Sequence, residues 1–194
     1  MKNSIRSFFC WLISFALLIT SVPFFAIQAK AATDSLQFNA DGKFRIMQVT
    51  DIQSDQNVSS RITSVLADAI TRYSPDLVLF TGDNIKGSIS AANFRTSVDK
   101  FLAPIINSNT KFAVTFGNHD AESSIIGNPG SKTEQYEYYA TKGGNLFINH
   151  DVVELTGVGN GVIPIYPHGQ TEGTPAYQIY LMDSNDTPSS GSYD

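Results

Sequence analysis

The sequence predicts an α/β fold. Three observations carry that expectation: three apolar strand-like runs, two amphipathic helical stripes placed between them, and a polar residue cluster at the end of each run. Strand, helix, strand, helix, strand in strict alternation describes parallel pairing through crossover helices. In an open parallel sheet the carboxyl ends of the strands share one side, which is where ligands bind.

The first run, "KFRIMQVTD" from Lys43 to Asp51, alternates in the manner of a strand and ends in a carboxylate. The next stretch, "SSRITSVLADAITRYSPD", places Ile62, Val65, Leu66, Ala69, Ile70 and Tyr73 at i, i+3, i+4 spacing. Ser59 or Ser60 supplies a cap and Ser74-Pro75 a stop. "LVLFTGDN" is continuously apolar, as expected of a strand buried on both faces. A second stripe runs through Phe94, Val98, Phe101, Leu102 and Ile105, and Pro104 is expected to end that helix just before Ile105. "KFAVTFGNHD" is the third strand.

After His119 the pattern loosens. "SKTEQYEYYA" reads as a short helix, "LFINHDVVELTG" as one or two strands, "GNGVIPIYPHGQTEGTP" as loop, and "AYQIYLMDS" as a further buried strand. Tyr136, Tyr138 and Tyr139 read as helix-packing aromatics, with a substrate cleft as the alternative. No internal repeat or linker divides this part.

Residues 1–31 read as an export signal: Lys2 and Arg6, then the apolar "FFCWLISFALLI", then small residues at Ala29 and Ala31. Cleavage is expected after Ala31, with Ala29 the neighbouring choice and a retained anchor the alternative. Residues 32–194 then form one domain. Removing the signal takes three of the 13 basic residues and no acidic one, so the formal charge moves from −5 to −8. The only cysteine, Cys10, leaves with it, which excludes an intramolecular disulfide. The acidity leaves no basic nucleic-acid footprint. No second apolar segment is long enough to span a bilayer, and a soluble product outside the cytoplasm is expected.

The strand ends carry the chemistry. Asp51 and Gln53, then Asp83, then Asn118, His119 and Asp120 all fall where apolar runs stop. Asp51, Gln53, Asp83 and Asn118 offer carboxylate or carbonyl oxygens, and clustered anions call for a cation. Each block alone has an ordinary reading. Asp51 can be a turn or cap residue, Gly82-Asp83-Asn84 a turn, and Asn118-His119-Asp120 a capped helix start. The argument for a metal rests on all three occurring in order. A nucleotide-binding reading lacks a glycine-rich loop after the first strand, and a serine-hydrolase reading lacks a G-x-S-x-G elbow.

"DIQ", "GDN" and "GNHD" together resemble the first three blocks of the calcineurin-like metallophosphoesterases. The surroundings "FRIMQVTDIQ", "PDLVLFTGDNI" and "FAVTFGNHDAE" are similar to bacterial secreted members related to purple acid phosphatases. The resemblance is strong over residues 43–122 and weaker to "YLMDS". It implies a four-layer α/β/β/α sandwich around two divalent metal ions (Mn, Fe, Zn or Mg) and hydrolysis of phosphate mono- or diesters. By the same resemblance, Asp51 and Gln53 bind the first metal, Asp83 bridges, and Asn118 binds the second. His119 meets the leaving group, and Asp120 orients or polarises the histidine.

Two departures qualify the match. The family has a histidine where this chain has Gln53, so a harder ion is favoured, or Gln53 supports only a metal-bound water. The family's later histidines, including a Gly-His-x-His block, have no counterpart. His150 and His168 read as surface or loop histidines. The chain is therefore expected to be an N-terminal fragment of a phosphoesterase with little activity of its own. The alternative is a non-catalytic metal-binding or interaction remnant.

Overall fold

The computed structural model describes residues 35–87, 89–122 and 131–185; the expected export signal, residues 1–31, lies outside them. Strand β1 is Leu36–Gln37, β2 is Ile46–Val49, β3 is Leu77–Thr81, β4 is Lys111–Thr115, β5 is Gly161–Tyr166 and β6 is Tyr177–Leu181. Helix α1 spans Ser60–Tyr73, α2 spans Ala91–Asn107 and α3 spans Ser131–Gly143, with 3-10 turns at His119–Ala121 and Gly144–Leu146.

Strands β2, β3 and β4 form a parallel sheet in that order, with Val49 beside Phe80 and Thr81 beside Thr115. The unbroken apolar run of β3 has a direct explanation. Val78 and Phe80 pack under the helices with Leu66, Ile70, Phe101 and Phe112. Leu77 and Leu79 face the other way, into a second core with Leu36, Ile163, Ile165 and Leu181. Both faces of β3 are therefore dry, as in buried parallel strands.

That second core belongs to a second sheet of order β1-β5-β6, in which β1 runs parallel to β5 and β6 antiparallel to it. The described residues thus build three layers, helices on sheet on sheet, in the α/β class the sequence predicts. The outer face of the second sheet presents Val162 and its cross-strand partner Tyr180 to solvent. The fourth layer implied by the family resemblance is not among the described residues.

Helix α1 begins where Ser59 accepts the Arg61 N–H, and it stops at Ser74 in the left-handed region (φ 45°) before Pro75. Its buried stripe is narrower than the sequence pattern: Leu66 and Ile70 are buried, whereas Val65 and Tyr73 face solvent. Helix α2 does not end at Pro104 but continues to Asn107. Proline removes one N–H bond there, yet Phe101, Leu102 and Ile105 are fully buried, and their packing holds the last turn. Tyr139 is fully buried and Tyr136 nearly so, and the Tyr138 ring packs at a tilt against Phe94, centroids 5.4 Å apart. These three tyrosines are packing residues.

The region after α3 departs from expectation. "LFINHDVVELTG" contributes the last residue of a 3-10 turn, Leu146, and one isolated bridge between Phe147 and Phe112, but no strand. The expected loop "GNGVIPIYP" instead contains β5. Ile163 and Ile165 alternate with solvent-facing positions, and that half-buried pattern outweighs the glycine and proline signals. Strand β6 is buried at Leu181 but open on its other face.

Candidate metal centre

The loops after β2, β3 and β4 meet at one end of the first sheet. Asp51 N–H donates to the Gly82 carbonyl (3.0 Å), Gln53 N–H to the Asp83 carbonyl (2.9 Å), and Ser54 N–H to the Asn84 carbonyl (3.2 Å). The first two loops are therefore stitched together beyond the sheet. Asp51, Gln53 and Asp83 all take positive φ, at 53°, 43° and 50°. This conformation costs a non-glycine residue of order 1 kcal/mol or more, and such strain collects at functional sites.

Two glycines let the second and third loops approach. A Cβ on Gly82 (φ 113°) would lie 2.5 Å from the Gly117 nitrogen, and one on Gly117 would collide with the Asp83 carboxylate. The Asp83 side chain thus occupies space that only glycine at 117 leaves open. Its Oδ1 accepts the backbone N–H of His119 at 3.0 Å.

Asp120 is fully buried and has a structural part beside the one expected. Its Oδ2 accepts the N–H groups of Asp83 (2.8 Å) and Gly117 (2.8 Å). Its Oδ1 accepts those of Asn84 (3.1 Å) and Ile85 (3.3 Å). Burial pushes this carboxyl up to about 6, against the backbone donors of Gly117, Ile85 and Asp83. At neutral pH it is ionised and acts as an acceptor for four N–H groups. Both oxygens accept from backbone N–H groups, so among the described residues the carboxylate reaches the His119 ring through its charge, which adds to the rise in the His119 pKa, rather than through a hydrogen bond. Asp120 ties the second loop to the third.

The group beside the imidazole is Glu122, whose Oε2 stands 2.9 Å from His119 Nδ1. Its hydrogen bond, and then its charge, hold the His119 pKa above the ordinary histidine value. Sequence reasoning passed over Glu122. The available signal was its i+3 spacing from His119, the reach of a side-chain pair across one helical turn.

The donor set that emerges is two carboxylates, Asp51 and Asp83, and two amides, Gln53 and Asn118. Asp51, Gln53 and Asn118 are exposed and Asp83 is half-buried. Oxygen donors of this kind suit a hard divalent cation. Among the described residues no three His, Cys, Asp or Glu side chains gather into a metal-binding group. The other histidines do not join the site. His150 is buried rather than on the surface, its ring nitrogens 3.0 Å from the carbonyls of Ile148 and Gly159. His168 is exposed, beside the Phe38 carbonyl.

A parallel sheet covered by crossover helices, backed by a second sheet and closed at its strand ends by loops rich in oxygen donors, defines an α/β protein with a candidate strand-end metal site. The chain matches the calcineurin-like phosphoesterase family over residues 44–190, and it belongs to that family. It is 31% identical over 166 residues to phosphatase DCR2 of Saccharomyces cerevisiae, covering 77% of this chain and 28% of that protein. It is 34% identical over 106 residues to a protein of Arabidopsis thaliana named probable inactive purple acid phosphatase 14, covering 46% of this chain and 26% of the relative. It is 26% identical over 182 residues to probable inactive purple acid phosphatase 29 of the same plant, covering 82% and 45%. The chain thus spans between about a quarter and under half of the length of these relatives. Among the described residues, no helix is long and apolar enough to cross a membrane.

Proposed function

We propose that this chain is an exported, metal-dependent phosphoesterase component that acts on phosphate mono- or diesters. The observation that carries the reading is the convergence of the first three family blocks at the end of one parallel sheet. The loops bearing Asp51, Gln53 and Asp83 are bonded to one another, and Asp120 ties the Asp83 loop to the one bearing Asn118 and His119.

Asp51, Gln53, Asp83 and Asn118 would hold divalent cations, Mn or Mg being favoured over softer ions by an all-oxygen set. When bound, such cations acidify water and neutralise phosphoryl oxygens. The remaining work falls to the chain. Asp83 would be one of the two carboxylates that hold cations, its Oδ1 already oriented by the His119 N–H. His119, protonated beside Glu122, would stand at the leaving group and donate a proton to the departing oxygen. Asp120 would keep the second and third blocks in register without touching substrate.

A second reading, a metal-binding remnant without turnover, is favoured by the donor set itself: two carboxylates and two amides carry less charge and basicity than a two-metal centre uses. Two of the relatives named above are also called inactive. The deciding experiment joins manganese titration by calorimetry to hydrolysis of p-nitrophenyl phosphate and bis(p-nitrophenyl) phosphate, with Asp83→Ala alongside. Manganese binding and turnover that both vanish in Asp83→Ala support the enzyme. Binding without turnover supports the remnant, and neither would remove the metal reading.

A further inference from the structure

We infer that Glu122 is the positioning residue for His119, fixing the imidazole through Nδ1 so that Nε2 is the atom presented for proton transfer. The inference deepens the phosphoesterase reading and rests on it for its catalytic meaning, although its geometry stands independently.

Three contacts set the ring. The His119 backbone is anchored by its N–H to Asp83 Oδ1 at 3.0 Å. The turn is closed by the Glu122 N–H donating to the His119 carbonyl at 3.2 Å. The Glu122 carboxylate then reaches back to Nδ1 at 2.9 Å. Space for that carboxylate is supplied from another loop. A Cβ on Gly87 would lie 3.1 Å from Glu122 Cβ and 3.2 Å from Cδ, and would overlap Oε2 outright. Gly87 follows the Asp83 block, so the second loop is shaped around a side chain of the third. Asp120 cannot serve instead, because both of its oxygens are occupied by backbone donors.

The pair is 41% and 44% exposed. Exposed ion pairs add little stability, so the consequence of this contact is orientation and tautomer. With Nδ1–H held on Glu122, the Nε2 proton is the one available. As the phosphorus–oxygen bond breaks, its electron pair goes to the leaving oxygen, which takes the Nε2 proton. The imidazole is left neutral, with its remaining proton on Nδ1 facing Glu122. Free neutral imidazole favours the opposite tautomer, so the prediction is distinctive.

The test is long-range proton–nitrogen NMR on the purified protein with labelled histidine, at a pH where the rings are neutral. The chain has three histidines, and His119→Asn assigns the signal. We expect the Nδ1–H tautomer for His119, retained in Glu122→Gln, whose amide oxygen still accepts, and reverting to mainly Nε2–H in Glu122→Ala. Finding Nε2–H in the parent protein, or an unchanged tautomer in Glu122→Ala, overturns the inference. Against an alkyl phosphate monoester, kcat should fall about tenfold or more in Glu122→Ala with KM unchanged. A fall in kcat/KM that comes from KM alone, with kcat unchanged, would overturn the positioning role. Absence of turnover in the parent protein would count against the phosphoesterase reading alone, with the tautomer still deciding the role of Glu122.

Discussion

Replacing Asp120 with asparagine is a near-isosteric change that separates two roles for this carboxylate. Each oxygen accepts two backbone N–H groups, at 2.8 and 2.8 Å on Oδ2 and at 3.1 and 3.3 Å on Oδ1. An asparagine keeps only one acceptor oxygen. The better-bonded Oδ2 side would retain it, turning an NH2 group toward the donors of Asn84 and Ile85. Two buried N–H groups then lose their partner, each at about 1–3 kcal/mol, so a loss of about 3 kcal/mol is expected. At about 2–4 °C per kcal/mol for a chain of this size, the melting midpoint falls by about 6–12 °C. Urea unfolding followed by far-UV circular dichroism measures the free-energy loss, and a thermal scan the midpoint. A loss below about 1 kcal/mol, accompanied by a changed His119 titration, would mean that Asp120 faces the imidazole after all.

Three further outcomes are expected. Burial lowers the His150 pKa below its ordinary 6.5. The unfolded chain therefore binds the proton more readily, and stability falls as pH drops from about 6.5 toward the folded value. His150→Gln should flatten that slope in urea unfolding at pH 7.5 and 5, and an equal slope in both proteins would contradict the assignment. Gly82→Ala combines φ 113° with a 2.5 Å approach to the Gly117 backbone; it should cost about 3 kcal/mol or more and weaken manganese binding, whereas a calorimetric titration like the parent's would count against the close-approach argument. The buried Tyr139 hydroxyl has no hydrogen-bond partner among the described residues, so Tyr139→Phe should leave stability unchanged or raise it by about 1 kcal/mol. A loss of similar size would show that the hydroxyl is bonded.

Some of this molecule is decided locally, and that portion is legible in one dimension. The continuous apolar run of β3, the apolar period of α1, the Ser59 cap and the Ser74-Pro75 stop depend on residues within a turn or two of each other. So do the oxygen donors at the strand ends, because parallel alternation leaves those ends on one side. Other features depend on neighbours distant in the chain. Pro104 stays helical because residues around it are buried against the sheet, and β5 forms in a loop-like segment because β1 and β6 pair with it. The roles of Asp120 and Glu122 belong to this second kind. Both are acids near His119, and spacing alone does not say which one meets the ring. That choice was made by burial, which surrounded Asp120 with the backbone donors of a loop about 36 residues earlier, and by the space at Gly87, which admitted the carboxylate of Glu122. Sequence sets which groups can bond; only packing decides which of them are brought within 3 Å of one another.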